Sequence, residues 1–490
     1  MGTSSATTPR WRLFFHETAS LLLDDELPVP PEVAEIVVAA RSRPRRRSTP
    51  FFIGPEGVPD DIINDYFGPG GSGGRLAETS ARSYAYDILV FLNILQQWNV
   101  DWRDASPAAL GDVRTWRLYG QGNERPVGDS TWQRQAQAIS SLYSWAATRG
   151  VQSPIPPSFD RSHRRVADPG SAYPRSKSIK WFTAAAIAQW VNLGLRGYLP
   201  DGSVDSSYRH RSGLRDGAFV RAAYGTGLRT QELGGLVIGA EWPAAPTGPY
   251  ATLQLPDGLA KGGIGRPFWA SAEALSAVHS YVSTDRRLAI ETAHRRGVYQ
   301  NLPDVLTLEE RDSPRFAYDA AGRRLKLNLL TPFDRQRLFI RTKDVLEPAQ
   351  LWLTEQGLPL PHTAWNRVFD RANSRVATMG VPMSRMTPHR LRHSFALKWF
   401  IIGRLLWIGR ASTLSQAEAD TLRDEMGSEW FLVQTLLGHR SVETTRNTYL
   451  EPFIGLDIES LLSQVQDKDA EQLLTLFLDK HPRVESRTSW

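Results

Sequence analysis

Between residues 78 and 150, apolar side chains recur at helical spacing. Tyr86, Leu89, Val90, Leu92, Ile94 and Leu95 mark the first predicted helix. A second helix is predicted to begin at Pro107, after Ala105 and Ser106, and to hold Val113 and Trp116. A third starts at the capping pair Asp129–Ser130 and carries Trp132, Ala136, Ile139, Leu142, Tyr143 and Trp145. It stops at Gly150. The pattern predicts a small helical domain over 78–150. Gln133, Arg134 and Gln137 fall on the polar face of its third helix, either as solubilising residues or as contacts for a partner.

The flanking stretches lose this periodicity. Residues 1–77 look irregular, apart from an apolar helix candidate at Val33–Ala40, and end in the glycine-rich GPGGSGG at 68–74, a linker by composition. Residues 151–178 are rich in proline, serine and arginine and read as a second, extended linker. Residues 179–452 form the largest region. Helices are predicted at Trp181–Leu195 and Gly213–Tyr224, and later near 362–379, 388–403 and 414–437. YATLQL at 250–255 and RPFWA at 266–270 alternate as two strands around PDGLAKGGIG. The span from 284 to 350 is polar and mixed and fits no single period. The tail, 453–490, carries leucines and Phe477 at amphipathic spacing. The expected class is mainly α (α+β): a small helical domain, then a larger mostly helical domain with a small antiparallel sheet.

Composition sharpens this picture. The chain has 490 residues, ample for several cores, and no cysteine. Disulfide scaffolds, thiolate metal sites and cysteine nucleophiles are thereby excluded. No apolar run approaches the roughly 18 residues of a membrane span, and the start MGTSSATTPRWR has no apolar signal core, so a cytoplasmic protein is expected. The net charge is +6, which suits a polyanionic partner. Of the 58 basic residues only eight are lysine, so a retained lysine invites a lysine-specific reason. RSRPRRR at 41–47 includes Arg43, Arg45, Arg46 and Arg47. It is either a solvated tail or an arm that tracks phosphates. The tail at 453–490 has four basic and seven acidic residues, a charge of −3 that disfavours phosphate contact.

Four segments carry candidate chemistry. In TPHRLRHSFA, Thr387 caps a helix that begins at Pro388, and His389 and Arg392 share one face, as an anion site or as an ordinary surface helix. In GTGLRTQEL, Arg229 opens a helix and Glu232 sits three residues on, close enough to hold it. Lys261 lies at a glycine-flanked hairpin tip, where it is either solvated or a proton donor. LLGHRSVETTRNTYLEP joins His439 to Tyr449, a nucleophile or a buried phenol, in a short helix closed by Pro452.

Taken together, GTGLRTQEL, AKGG, HRLRHSFA and LGHRSVETTRNTYL resemble the tyrosine recombinase (phage integrase) family over about 78–452. The helical segment 78–150 resembles that family's core-binding, SAM-like domain. The resemblance implies residues 1–77 as an N-terminal arm, 151–178 as the interdomain linker and 179–452 as the catalytic domain, with insertions near 284–350 and 402–428. It implies 453–490 as a tail packed on a neighbouring protomer, docking on its own domain being the alternative. Arg229 and Arg392 would clamp the scissile phosphate and Lys261 would protonate the leaving 5′-oxygen. His389 would assist proton transfer, His439 would hydrogen-bond a phosphate oxygen, and Tyr449 would attack.

The implied activity is site-specific DNA recombination through a 3′-phosphotyrosyl link. The bond energy is conserved, so no ATP is expected, and two guanidiniums and an imidazole can stabilise the transition-state charge, so no metal cofactor is expected. The implied partners are double-stranded DNA and a homo-tetramer acting through a Holliday junction. An accessory directionality factor is a further expectation, and no membrane is involved. The alternatives are a type IB topoisomerase-like enzyme, or a DNA-binding protein that has lost catalysis.

Overall fold

A computed structural model describes residues 10–16, 49–155, 181–411, 429–438 and 484–485, apart from short breaks at 121–122, 124–125, 246–247, 249, 301, 309–313 and 343–344. The chain divides into two compact units, 1–175 and 176–490. Helices dominate both, with small sheets, as the sequence pattern predicts.

In the first unit, strands β1 (Arg12–Phe15) and β2 (Pro50–Ile53) form an antiparallel pair, followed by helix α1 (Asp61–Phe67). The three predicted helices follow as α2 (Glu78–Gln97), α3 (Pro107–Tyr119) and α4 (Asp129–Ala147). Ser106 caps α3 through its hydroxyl, which accepts from the Ala109 N–H at 3.1 Å. Phe91, Leu92, Leu95, Ile139, Leu142 and Tyr143 meet in one core.

The irregular arm with a glycine linker is not what forms at 49–77. Phe52, Ile63, Tyr66 and Phe67 are at most 2% exposed and belong to that same core. The glycines at 68–74 are ordered because the chain passes too close to itself for side chains. A Cβ at Gly71 would lie 2.0 Å from the Tyr66 carbonyl oxygen, and one at Gly74 would lie 1.9 Å from that of Gly68. Composition alone reads such a stretch as a linker; here it is a tight turn against Tyr66. The helix candidate at Val33–Ala40 and the arginines at 41–47 lie outside the described residues.

The second unit opens with a two-residue strand, β3 (Trp181–Phe182), where the apolar pattern predicted helix throughout. Thr183 then caps α5 (Ala184–Leu195), its hydroxyl accepting from the Ala186 N–H at 3.1 Å. Helix α6 (Gly213–Thr226) and the short α7 (Thr230–Gly234) follow. The expected hairpin forms as β4 (Tyr250–Leu255) and β5 (Arg266–Ser271), in register from Tyr250 opposite Ser271 to Leu255 opposite Arg266. Helix α8 (Ala272–Tyr281) continues through a π-turn at Val282–Arg286 into α9 (Arg287–Arg295).

The unassigned span holds a five-stranded sheet: β6 (Leu306–Leu308), β7 (Phe316–Tyr318), β8 (Arg324–Lys326), then a short helix α10 (Pro332–Gln336), β9 (Leu338–Thr342) and β10 (Val345–Pro348). Its order is β10-β9-β6-β7-β8, and β6 runs parallel to β9, so the sheets are not all antiparallel. Helices α11 (Ala364–Thr378), α12 (Pro388–Ala411) and α13 (Glu429–Leu437) complete the described helices. The last described strand, β11 (Val484–Glu485), pairs in parallel with β3 of its own chain. That piece of the tail therefore adds to the same unit, while the rest of 453–490 lies outside the described residues. Among the described residues no helix is long and apolar enough to cross a membrane.

Candidate active site

Gly227 is where α6 stops. Its φ of +65° is left-handed, and a Cβ there would meet the Phe395 ring at 2.4 Å. The chain turns back into α7 with Arg229 at its start. Glu232 secures that start, its carboxylate accepting from the Arg229 backbone N–H at 2.9 Å and from Arg229 Nη1 at 2.8 Å.

Five residues make a poor helix alone, so α7 is held from outside. The Leu233 carbonyl accepts from Trp352 Nε1 at 2.9 Å, that of Gly234 from Gln350 Nε2 at 2.6 Å, and that of Gly235 from Arg335 Nη1 at 3.3 Å. Arg335 is fully buried and paired with Glu241, with contacts of 2.8 and 2.7 Å. Arg286, on the π-turn, donates to the carbonyls of Pro348, Gln350 and Leu351 and so fixes the segment that supplies Gln350 and Trp352. The polar span 284–350 thus braces the loop that carries Arg229.

Arg392 enters from α12. Thr387 caps that helix as expected, its hydroxyl accepting from the Arg390 N–H at 3.2 Å. The Arg392 guanidinium is 2% exposed; it donates to the Gly227 carbonyl and, at 2.7 Å, to the Leu437 carbonyl. It therefore ties the α6–α7 turn to the end of α13.

A fourth member, Arg266, escaped the sequence reading. Its Nη1 and Nη2 donate to Glu232 Oε1 and Oε2 at 3.2 and 2.8 Å. The signal was present. Arg266, Phe268 and Ala270 occupy alternate positions of one strand, and the latter two are buried. Period two therefore put an arginine on the inward face, where a carboxylate must meet it.

Burial pushes the Glu232 carboxyl up. The hydrogen bonds and charge of Arg266, with the charges of Arg229 and Arg392, outweigh burial and hold it at about 2.

The structure thus brings together Arg229, Glu232 and Arg392. Lys261 and His389 are both exposed. Lys261 rides a hairpin loop closed at its base by Asp257, whose carboxylate accepts from the Gly265 N–H at 2.6 Å. The loop is propped by the Gly258 N–H donating to the Asn328 carbonyl at 2.8 Å. His389, on the first turn of α12, sets its ring edge-on to the buried His393, with centroids 4.3 Å apart. His439 and Tyr449 lie outside the described residues. Gly438, just before His439, is described. Its φ is +64°, and a Cβ on it would meet Arg266 Cδ at 2.1 Å.

The charges of three guanidiniums against one carboxylate leave a site of net positive charge, suited to an oxyanion. Among the described residues, no group of histidines and carboxylates could hold a metal ion.

The nucleic-acid candidates of the first unit fare unevenly. Gln133 is exposed and Gln137 half-buried. Arg134 is committed elsewhere, since its Nε and Nη2 hold Asp87 at 2.7 and 2.9 Å, an interaction that raises its pKa. Asp87 is 4% exposed and needs that counter-charge. Arg43, Arg45, Arg46 and Arg47 lie outside the described residues.

No protein-family profile matches the chain, and no curated protein is significantly similar to it. Several solved structures are similar over about four fifths of its length. They include the XerH site-specific recombinase bound to palindromic difH substrate in a post-cleavage complex, 14% identical over 79% of this chain and 79% of that one, with a TM-score of 0.43. The XerA recombinase is 13% identical over 81% and 96%, with a TM-score of 0.29. The Tn1549 transposon integrase in complex with circular intermediate DNA is 14% identical over 80% and 94%, with a TM-score of 0.40. At these identities and scores the chain's similarity to site-specific recombinases and a transposon integrase is a loose correspondence of architecture.

Proposed function

We propose that the chain is a site-specific DNA recombinase of the tyrosine type, working in the cytoplasm on double-stranded DNA. One observation carries the reading. Arg229 and Arg392, from motifs far apart in sequence, converge with their charges on the buried Glu232. A pair of arginines held in this way suits the spread negative charge of a phosphodiester transition state, with no metal required.

In this scheme the Tyr449 hydroxyl oxygen attacks phosphorus as its proton passes to His389. The phosphorus–O5′ bond breaks, and Lys261 delivers a proton to the leaving oxygen. The 3′-phosphotyrosyl link conserves the bond energy, so a 5′-hydroxyl can reverse the step without ATP. His439 hydrogen-bonds a non-bridging oxygen. Four copies acting on two sites would exchange strands through a four-way junction, with a directionality factor as an accessory. The segmentation that the resemblance implies applies here, with residues 49–77 now assigned to the fold of the first unit and Val484–Glu485 to that of the second.

The test uses the full chain and a duplex nicked near the scissile phosphate, which traps the covalent adduct. Wild type should form a protein–DNA adduct that resists denaturant, and Tyr449→Phe should bind the duplex and form none. An adduct persisting in Tyr449→Phe would assign the nucleophile elsewhere. DNA binding with no adduct in either protein would favour the reading of a binding protein without catalysis.

A further inference from the structure

We infer that Arg266 is a charge-balancing positioning residue: it neutralises Glu232, so that Arg229 and Arg392 present their positive charge to the bound oxyanion. The identity of that oxyanion as a DNA phosphodiester rests on the function proposed above; the geometry does not.

Glu232 is needed to shape the site, because it fastens both the backbone and the guanidinium of Arg229. A carboxylate placed so close carries a penalty. With Arg229 as its sole partner it would form a neutral pair, and the arginine meant for the phosphate would be spent inside the protein. Arg266 removes that penalty. Its two terminal nitrogens address both carboxylate oxygens, the paired geometry in which a guanidinium holds a carboxylate most strongly.

The exposures divide the labour. The Glu232 side chain is 1% exposed, that of Arg266 13% and that of Arg229 30%. Arg266 is therefore the inward partner and Arg229 the outward one, open to a ligand. Arg266 also has a second anchor, since its stem lies over Gly438, whose lack of a Cβ makes room for it. The end of α13, next to His439, is thereby registered against the same ion pair. Arg229, Arg266 and Arg392 against Glu232 give a net charge of +2. Without Arg266 the count falls to +1, although Arg229, the outward guanidinium, is untouched.

The experiment compares the full-length wild type with Arg266→Met, Glu232→Gln, the double variant and Arg266→Lys. One readout is the rate of adduct formation on the nicked duplex. The other, which needs no DNA and no catalysis, is the rise in Tm produced by inorganic phosphate. Arg266→Met should slow adduct formation on the order of 10²-fold, as losing one oxyanion-stabilising group does, and should flatten the phosphate response. The double variant restores the net charge of +2. It should regain at least about tenfold of the lost rate and most of the phosphate response, a rescue that mere support of the fold does not produce.

A double variant no better than Arg266→Met, or an Arg266→Met indistinguishable from wild type, overturns the inference. If Arg266→Met does not fold, Arg266→Lys decides. It keeps the charge, so its phosphate response should stay near that of wild type, and its loss overturns the inference. A wild type that forms no adduct counts against the recombinase reading, while the phosphate titration still judges Arg266.

Discussion

Replacing Glu232 by glutamine removes one charge and almost no volume, so its effect isolates the ionised carboxylate. The group is 1% exposed and its pKa is held at about 2 against an ordinary 4.5. Each unit of displacement is worth about 1.36 kcal/mol, so the ionised form contributes roughly 3 kcal/mol to folding at neutral pH. That matches the scale of about 3–5 kcal/mol for breaking a buried ion pair. Because the folded value is the lower one, the contribution is fully present above pH 4.5 and is lost as pH falls towards 2. The difference between wild type and Glu232→Gln should therefore be roughly 3 kcal/mol at pH 7 and less than half of that at pH 3. Urea unfolding followed by tryptophan fluorescence, at matched pH values for both proteins, measures it. Any effect of the amide on packing is independent of pH and cancels between the two conditions. A difference that stays constant from pH 7 to pH 3, or grows on acidification, would refute the account of Glu232 as a carboxylate held ionised by three guanidiniums.

Two further outcomes are expected. Lys261→Ala should slow cleavage of ordinary DNA far more than cleavage of DNA whose bridging 5′-oxygen is sulfur, because a thiolate leaves without a proton; equal losses on both substrates would remove Lys261 from the acid role. Deleting residues 1–77 should unfold the first unit rather than trim an arm, because Phe52, Ile63, Tyr66 and Phe67 leave its core at about 1.5–3 kcal/mol each. Circular dichroism and limited proteolysis of the truncated chain report this, and a first unit that stays protease-resistant would contradict it.

What the sequence disclosed followed the reach of each signal. The helices at 78–150 were legible because their stripes run for 13 to 20 residues, long enough for period and caps to agree. The β4–β5 hairpin was legible because its alternation brackets a glycine-rich turn. The sheet of 306–348 was not: three of its strands have three residues each, too short to show a period. Its buried arginine, Arg335, reads as surface until Glu241 is seen beside it. The tract at 68–74 failed for another reason, since glycine admits both a free linker and a tight approach, and only Tyr66 decides between them.

The candidate site shows the same division between local and long-range information. Arg229 with Glu232, and the cap at Thr387, are local facts, written within four residues. The cluster is not local, because Glu232 is paired by guanidiniums from its own turn and from the strand after the lysine hairpin, and also feels the charge of Arg392 from a third segment. Yet one long-range fact had a local trace. A strand that places arginine, phenylalanine and alanine at successive inward positions has put a charge in a core, and a charge in a core requires a counter-charge. Arg266 thus announced that an acidic partner existed without saying where. Glu232, a carboxylate in a helix too short to stand alone, had the complementary need, and the two needs are met by each other.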